Sequence, residues 1–559
     1  MRHEVLHHVK DAKRKHERDD EQHSAEKRRG DVEQGQEPVQ QLVQIEAAAA
    51  SVIRIEPWHG SPLSSVLCPG KTTPGRPLYS SENAGIVKRL DLTSGQTTML
   101  MATTKLRTEG MERPMKSISL DGTWSLTYLH TSPDGPKHPG QLAGCDAARV
   151  SALVPGNVEL DLVRAGTLPD PFFGGNIRLL RPLETCEWWY AREFEFEGGT
   201  DCGDWDLVFE GLDTYATVWL NGEEIGRSDN MLIPQRFKAG GALRSGRNQV
   251  HVRIEAAMLH ARRYPYDASM LSWEHRMEGL HVRKAPHMWG WDIMPRAVSA
   301  GIWRGVRLEP RPAYGFEQIY YRTLAINARE AVLAAMFEVR APDPDLLGCS
   351  VEFEGICGDH RFAYAWPLEF PADACRIPVP GARLWWPKGY GDPNLYAVTA
   401  RLVRGGQVLA QRTDRIGLRT VALERTPNAG TPPAPGARGF PVGRYDEPPD
   451  PAGHFLFRVN GVPIQVRGTN WVPLDAFHSR DAQRLADAMA LADDLGCNMI
   501  RCWGGNVYED HAFFDLCDEK GILVWQDFVF ACCRYPQSDS FLARVRGEAE
   551  AVVTRLRNH

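Results

Sequence analysis

The strongest constraint on this chain is a change of hydrophobic period near Phe455. Upstream, "CEWWYAREFEFE", "DLVFEGLDTYATVWLNGEEIGRS" and "NQVHVRIEAA" carry apolar residues at every second position. Period two places alternate side chains on opposite faces, which predicts half-buried antiparallel strands. Asn221-Gly222 sits between Val218-Trp219-Leu220 and Glu223-Glu224-Ile225. Both residues tolerate positive φ, so a two-residue hairpin turn is predicted there. "GIWRGVRLEP" closes this first block, and 113–312 is read as one jelly-roll-sized β-sandwich. A second block, 313–424, contains "AVLAAMFEVRA", "CSVEFEGICG", "LYAVTARLVRGGQVLAQRTDRIG" and "RTVAL". Its size and strand spacing fit an immunoglobulin-like sandwich.

Residues 425–453 are rich in Pro and Gly and read as a linker or long surface loop. After it, strands alternate with helices. "FLFRVNGVPIQVRG" is a hairpin around a second Asn-Gly, Asn460-Gly461. "SRDAQRLADAMALADDLGC" follows, with Leu485, Met489, Leu491, Ala492 and Leu495 on a helical stripe and Ser479 as the expected N-cap. "NMIRCW" is a short buried strand, "YEDHAFFDLCDEKG" a helix that Gly521 should terminate, "ILVWQDF" another strand, and "FLARVRGEAEAVVTRLRNH" another helix. That order predicts a parallel sheet with right-handed crossovers over 454–559.

Composition excludes more than it selects. The 559 residues carry a net charge of −6, with no basic stripe interleaved with aromatics, so no nucleic-acid partner is expected. No apolar run approaches the roughly 20 residues of a membrane span, and the N-terminus lacks a secretory core. The 12 cysteines show no CxxC pair and no zinc-type spacing, so neither metal nor cofactor is expected, and Cys532-Cys533 reads as two packed thiols. Reduced thiols and a cytoplasmic location are the expectation. Residues 1 to about 50 lack the apolar residues needed to offset ordering entropy, and 51–112 are patternless, with Pro, Gly, Ser and Thr throughout. They are either a disordered extension or lie upstream of the true start, near Met111 or Met115.

Several motifs together resemble glycoside hydrolase family 2, and within it the β-mannosidases: "VPGNVELDLVRAGTLPDPFFGGN", "WWYAREF", "HMWGWDIMP", "LWWPKGYGDPNLY", "FRVNGVPIQVRGTNWVP", "NMIRCWGGNVYED" and "GILVWQDFVFACCRYP". The resemblance covers about 115–559. It implies a jelly-roll sugar-binding-like domain, an immunoglobulin-like domain and the first three βα units of a (β/α)8 barrel, with barrel strands near 464–467, 498–503 and 522–527. The implied reaction is retaining hydrolysis of terminal non-reducing β-D-mannose from oligosaccharides. Such enzymes use two carboxylates about 5–5.5 Å apart, at the C-terminal ends of the barrel strands.

The family's acid/base Glu follows the fourth barrel strand and its nucleophile lies near the seventh. Neither position has a counterpart here, so no catalytic residue is assigned, the chain is expected to be C-terminally truncated and inactive alone, and a second polypeptide completing the barrel is a conceivable partner. The substrate contacts that the resemblance implies are Trp291, Asp292 and Trp503. Arg501 either supports the catalytic carboxylates or forms a structural ion pair. Gly504-Gly505 is expected to turn tightly after Trp503. Trp525 and Gln526 are expected to pack inside the barrel mouth, and Asp527 to bind neighbouring backbone or Arg side chains and shape that mouth; Glu509 and Asp510 follow the second barrel strand. Ile293 and Met294 stand where the family has Trp-Gly, so the loop bearing Asp292 departs from the pattern. The competing readings are a non-catalytic carbohydrate-binding fragment and another family 2 activity (β-galactosidase, β-glucuronidase or exo-glucosaminidase). "RCWGG" weighs against the latter, because the galactosidases and glucuronidases carry a His-containing motif at that strand.

Overall fold

The computed structural model describes residues 117–197, 204–272, 276–343, 346–425 and 455–559. The expectations for 1–112 and for the Pro/Gly-rich stretch after Arg425 lie outside the described residues.

Two large antiparallel sheets form the first domain, with a small third one pairing Leu212–Asp213 and Gly301–Ile302. One has six strands in the order Ala148–Val154, Gly122–His130, Cys186–Phe196, Gly246–Ile254, Ala216–Leu220 and Glu223–Ser228. The other has four: Ile118–Ser119, Val306–Pro310, Trp205–Phe209 and Gln235–Lys238. Alternation decides the layers. Val218 and Leu220 enter the core with Trp124, Tyr190, Leu207 and Phe209, while the intervening Trp219 turns outward and stacks on Trp189 at 5.6 Å. Asn221 and Gly222 adopt φ of 53° and 86°, the two positive values that the hairpin turn demands. The second domain is also a two-sheet sandwich. A three-stranded sheet (Gly315–Ile326, Glu330–Arg340, Ala372–Pro380) faces a four-stranded one (His360–Pro367, Cys349–Cys357, Tyr396–Arg404, Gln407–Ile416).

The strand Val421–Arg425, expected in the second sandwich, belongs elsewhere. It pairs with Phe455–Val459, which pairs with Val462–Ile464. The second Asn-Gly closes that last hairpin, and its distant partner strand could not be read from local pattern.

The last segment is parallel, as the alternation predicts. Strands β1 (Gly468–Trp471), β2 (Met499–Cys502) and β3 (Leu523–Gln526) are joined by helices α1 (Asp481–Asp494) and α2 (His511–Lys520) and followed by α3 (Asp539–Leu556). The first parallel strand lies four residues beyond the expected one, because Ile464 is used up by the hairpin. Ser479 does not cap α1: it sits inside a 3-10 turn, His478–Arg480, and its N–H donates to Asn157 Oδ1 of the first domain. Met489 and Ala492 of the α1 stripe are buried, but Leu491 and Leu495 are exposed, since they project from a different side of the helix. Gly521 ends α2 with φ 69°, as expected. Cys532 and Cys533 are free thiols. No helix among the described residues is long and apolar enough to cross a membrane.

Candidate functional site

Parallel pairing puts Asn470, Arg501 and Trp525 side by side on one face of the three-stranded sheet. Ile500 and Cys502 point the other way, into a core with Met489, Phe513 and Phe514 of the helices. The face bearing Arg501 is therefore the one left for polar and half-buried side chains. Trp503 lies just past β2, and its backbone N–H donates to Trp471 O at 3.1 Å.

The two glycines that follow are explained by close approach rather than by positive φ. A Cβ on Gly505 would stand 2.0 Å from the Trp503 ring, and one on Gly504 would stand 2.6 Å from the carbonyl oxygens of Phe528 and Phe530. The indole thus lies directly over Gly505. The expected tight turn is present, closed by the Asn506 N–H donating to Trp503 O at 3.1 Å, and the glycines also make room for a ring and for the chain after β3.

The first domain reaches this point. The short 3-10 helix Pro286–Trp289 ends at Gly290, φ 98°. The His287 N–H donates to Gly505 O at 3.1 Å, so the turn carrying Trp291 and the turn carrying Trp503 share a backbone hydrogen bond. Trp291 meets Trp503 edge to face, ring centroids 5.2 Å apart at 64°. The Arg276 guanidinium lies over the Trp291 ring, 5.6 Å from its centroid. The loop itself closes through Trp291 N–H to Met294 O at 2.8 Å. Beneath it, Arg296 is tied to Glu184 and Glu278 and covers Trp289. Asp292 is exposed beside Trp291, and among the described residues it has no hydrogen-bond or ion-pair partner.

Arg501 binds Asp527 through both carboxylate oxygens, Nη2 to Oδ2 at 2.6 Å and Nε to Oδ1 at 3.3 Å, and its Nη1 donates to Asn470 Oδ1 at 3.3 Å. Asp527 Oδ2 also accepts from the Gly504 N–H at 3.2 Å. Asp527 thereby links the ends of β2 and β3. Glu509 is buried behind the sheet, where it accepts from Trp471 Nε1 at 2.9 Å and Asn506 Nδ2 at 3.1 Å. Burial, with Asp481 nearby, pushes its carboxyl up to about 7. Asp510 is an exposed N-cap residue of α2. Trp525 departs from its expected place: it is 41% exposed and stacks on Phe455 at 5.9 Å, with Phe457 at 6.1 Å. The hairpin lies against that part of the sheet face, and its phenyl rings cover Trp525 on the face it shares with Arg501. Gln526 donates to Asp527 O at 2.8 Å.

The fold is that of a known family. Residues 134–304 match the glycosyl hydrolase 2 galactose-binding domain-like model, and 355–419 match glycosyl hydrolases family 2. β-Mannosidase B of Thermothelomyces thermophilus is 33% identical over 422 residues, spanning 72% of this chain. β-Mannosidase B of Aspergillus terreus is 34% identical over 420 residues.

The chain belongs to glycoside hydrolase family 2.

Its similarity within family 2 runs to the β-mannosidase type. The β-D-mannosidase structure from Dictyoglomus thermophilum superposes with a TM-score of 0.66 at 30% identity, covering 80% of this chain and 51% of that one. The β-glucuronidase structure from Ruminococcus gnavus, at 16% identity and TM-score 0.54, shares the fold alone. The chain spans about half the length of the curated relatives it matches: 45% and 46% of the first two. Two members of this family 2 site escape the sequence reading. Asn470 is betrayed only by register opposite Arg501, and Arg276 only by the fold of the first domain over its own loop.

Proposed function

We propose that this chain carries the sugar-recognising side of a β-mannosidase-type retaining exo-glycosidase, and that its three parallel βα units are the first three of a (β/α)8 barrel. The observation that carries the reading is the contact between Trp291 and Trp503, with the uncommitted carboxylate of Asp292 beside it. A flat indole face covers the apolar side of a pyranose, and a free carboxylate accepts hydrogen bonds from two adjacent hydroxyls. Identity above 30% with named β-mannosidases supports terminal β-D-mannose as the sugar.

No residue described here is assigned the acid/base or nucleophile role. Asp527 is committed to Arg501 and the Gly504 N–H, and Glu509 is shut behind the sheet. Arg501 holds Asp527 and Asn470 in place and so shapes the rim. The outer edge of β3 is where further parallel strands, from this or a second polypeptide, would add. The 559-residue chain is therefore expected to bind manno-oligosaccharides weakly and to release no nitrophenol from nitrophenyl β-mannoside. Calorimetry with mannobiose tests the recognition, and Trp503→Ala should abolish the heat. Binding of a β-glucuronide or glucosaminide in preference to the mannoside would sink the substrate assignment, and turnover of nitrophenyl β-mannoside would sink the placement of the catalytic groups.

A further inference from the structure

Helix α2 presents His511, Asp515 and Asp518 at i, i+4 and i+7, which places them along one face. The chain that leaves α3 brings His559 over that face. His559 Nδ1 stands 2.8 Å from Asp518 Oδ2, and its Nε2 stands 2.9 Å from His511 Nδ1. One ligand atom each from Asp515, Asp518 and His559 lie within 4.8 Å of one another. Asp515 has no hydrogen-bond or ion-pair partner among the described residues.

The histidine is held from several sides. Arg419 Nη2 donates to His559 O at 2.5 Å. Asn558 donates to Ile319 O at 2.8 Å and accepts from the Tyr321 N–H at 3.0 Å, so the residue before His559 is fastened to the second sandwich. The imidazole packs 5.4 Å from the Phe514 ring. A ligand whose backbone and ring are both fixed loses little freedom on binding.

We propose that Asp515, Asp518 and His559 form a binding site for a divalent transition ion of the zinc class, joining α2 to the end of α3. One imidazole nitrogen and two carboxylate oxygens are the N/O donor set that Zn2+ accepts, with water completing the coordination. His511 then supports the ligand rather than binding the ion. It accepts the Nε2–H of His559 and so fixes the tautomer whose Nδ1 lone pair faces the metal. With no ion, the same contacts are satisfied by the opposite tautomer, in which His559 Nδ1–H donates to Asp518 and His511 Nδ1–H donates to His559 Nε2. The ion takes the place of the Nδ1 proton, and each ring carries its proton on Nε2. Arg419 faces Asp518 and Arg555 faces His511, so two cations moderate the attraction of the carboxylates.

The test uses the full chain stripped with a chelator and titrated with Zn2+ against a chromophoric zinc indicator. One equivalent should bind, and it should raise the melting temperature of the segment after Phe455. Asp515→Asn should lose that binding without changing the metal-free melt, because Asp515 has no partner to lose. His559→Ala should lose it too. His511→Ala should weaken it about tenfold or more without abolishing it, as expected for the partner of a ligand. Co2+ should give a d–d absorption band that Asp515→Asn removes. Absence of saturable binding overturns the proposal, as does binding of equal strength in the Asp515→Asn/His559→Ala double variant.

Discussion

The first sandwich closes around Trp124, Trp188, Tyr190, Leu207, Phe209, Val218, Leu220, Val250 and Val252, all nearly inaccessible and all supplied by its own two sheets. The parallel unit has a smaller core, around Ile500, Cys502, Phe513, Phe514 and Met489. Its third helix turns part of its buried face toward the first domain instead. Phe541, Val545, Ala549 and Val552 share that face with a carboxylate, Glu548. Glu548 accepts from Arg283 Nε and Nη2 at 2.8 and 2.6 Å, from Asn230 Nδ2 at 2.8 Å and from Tyr508 Oη at 2.9 Å. Glu548 holds the Arg283 guanidinium well above its usual range despite full burial. A domain with its own apolar core tolerates loss of a neighbour. A segment docked through a buried ion pair does not, because either partner left alone is an unsolvated charge.

The largest effect that would break this contrast is Glu548→Ala. It strands Arg283, with an expected cost of about 3–5 kcal/mol. Limited proteolysis should then open the chain after Phe455 while both sandwiches survive. Simultaneous loss of all three regions would show that the sandwiches depend on α3 after all.

Glu509→Gln should act in the opposite direction and with a sharp pH signature. The folded carboxyl is raised to about 7 from the ordinary 4.5 of a glutamate, so the folded state prefers the protonated form. The stability linked to that proton is fully present below about 4.5 and lost as pH rises through about 7. Replacing the carboxyl by an amide removes a penalty of about 3 kcal/mol at pH 8 and changes little near pH 4.5. A melt of the C-terminal transition at the two pH values checks this, and equal shifts at both would contradict it.

The smallest expected effects sharpen the comparison. Gly222 and Gly461 occupy equivalent turn positions, φ 86° and 81°, one in the first sandwich and one in the hairpin before β1. A Cβ at either would meet nothing within 4 Å, so Gly→Ala measures backbone strain alone, about 1 kcal/mol. Denaturant unfolding should show Gly222→Ala moving the sandwich transition and Gly461→Ala moving the C-terminal one. A common shift would mean that the regions unfold as one.

Much of this was legible in residue order. Period-two runs gave the strands of both sandwiches, because a pleated strand sends alternate side chains to opposite faces. Both Asn-Gly pairs gave turns, because both positions need positive φ. Strand–helix alternation gave the parallel sheet, and Gly521 its helix end. The failures share a cause. The strand Val421–Arg425 pairs with Phe455–Val459 across the 29 residues between them, Ser479 is claimed by Asn157 of another domain, and Trp525 is drawn to Phe455 of the hairpin. In each case a distant partner outcompeted the local pattern.

The sequence by itself determined which segments are strands or helices, where the turns fall and which family the motifs resemble, since these follow from periodicity, backbone preference and short contiguous signatures. Tertiary structure decided what meets what. It set Trp291 against Trp503 through the His287–Gly505 hydrogen bond, buried Glu548 against Arg283, and brought His559 to Asp515 and Asp518. Those encounters depend on how sheets and helices pack across domains, a property of the folded surface that no local spacing along the chain encodes.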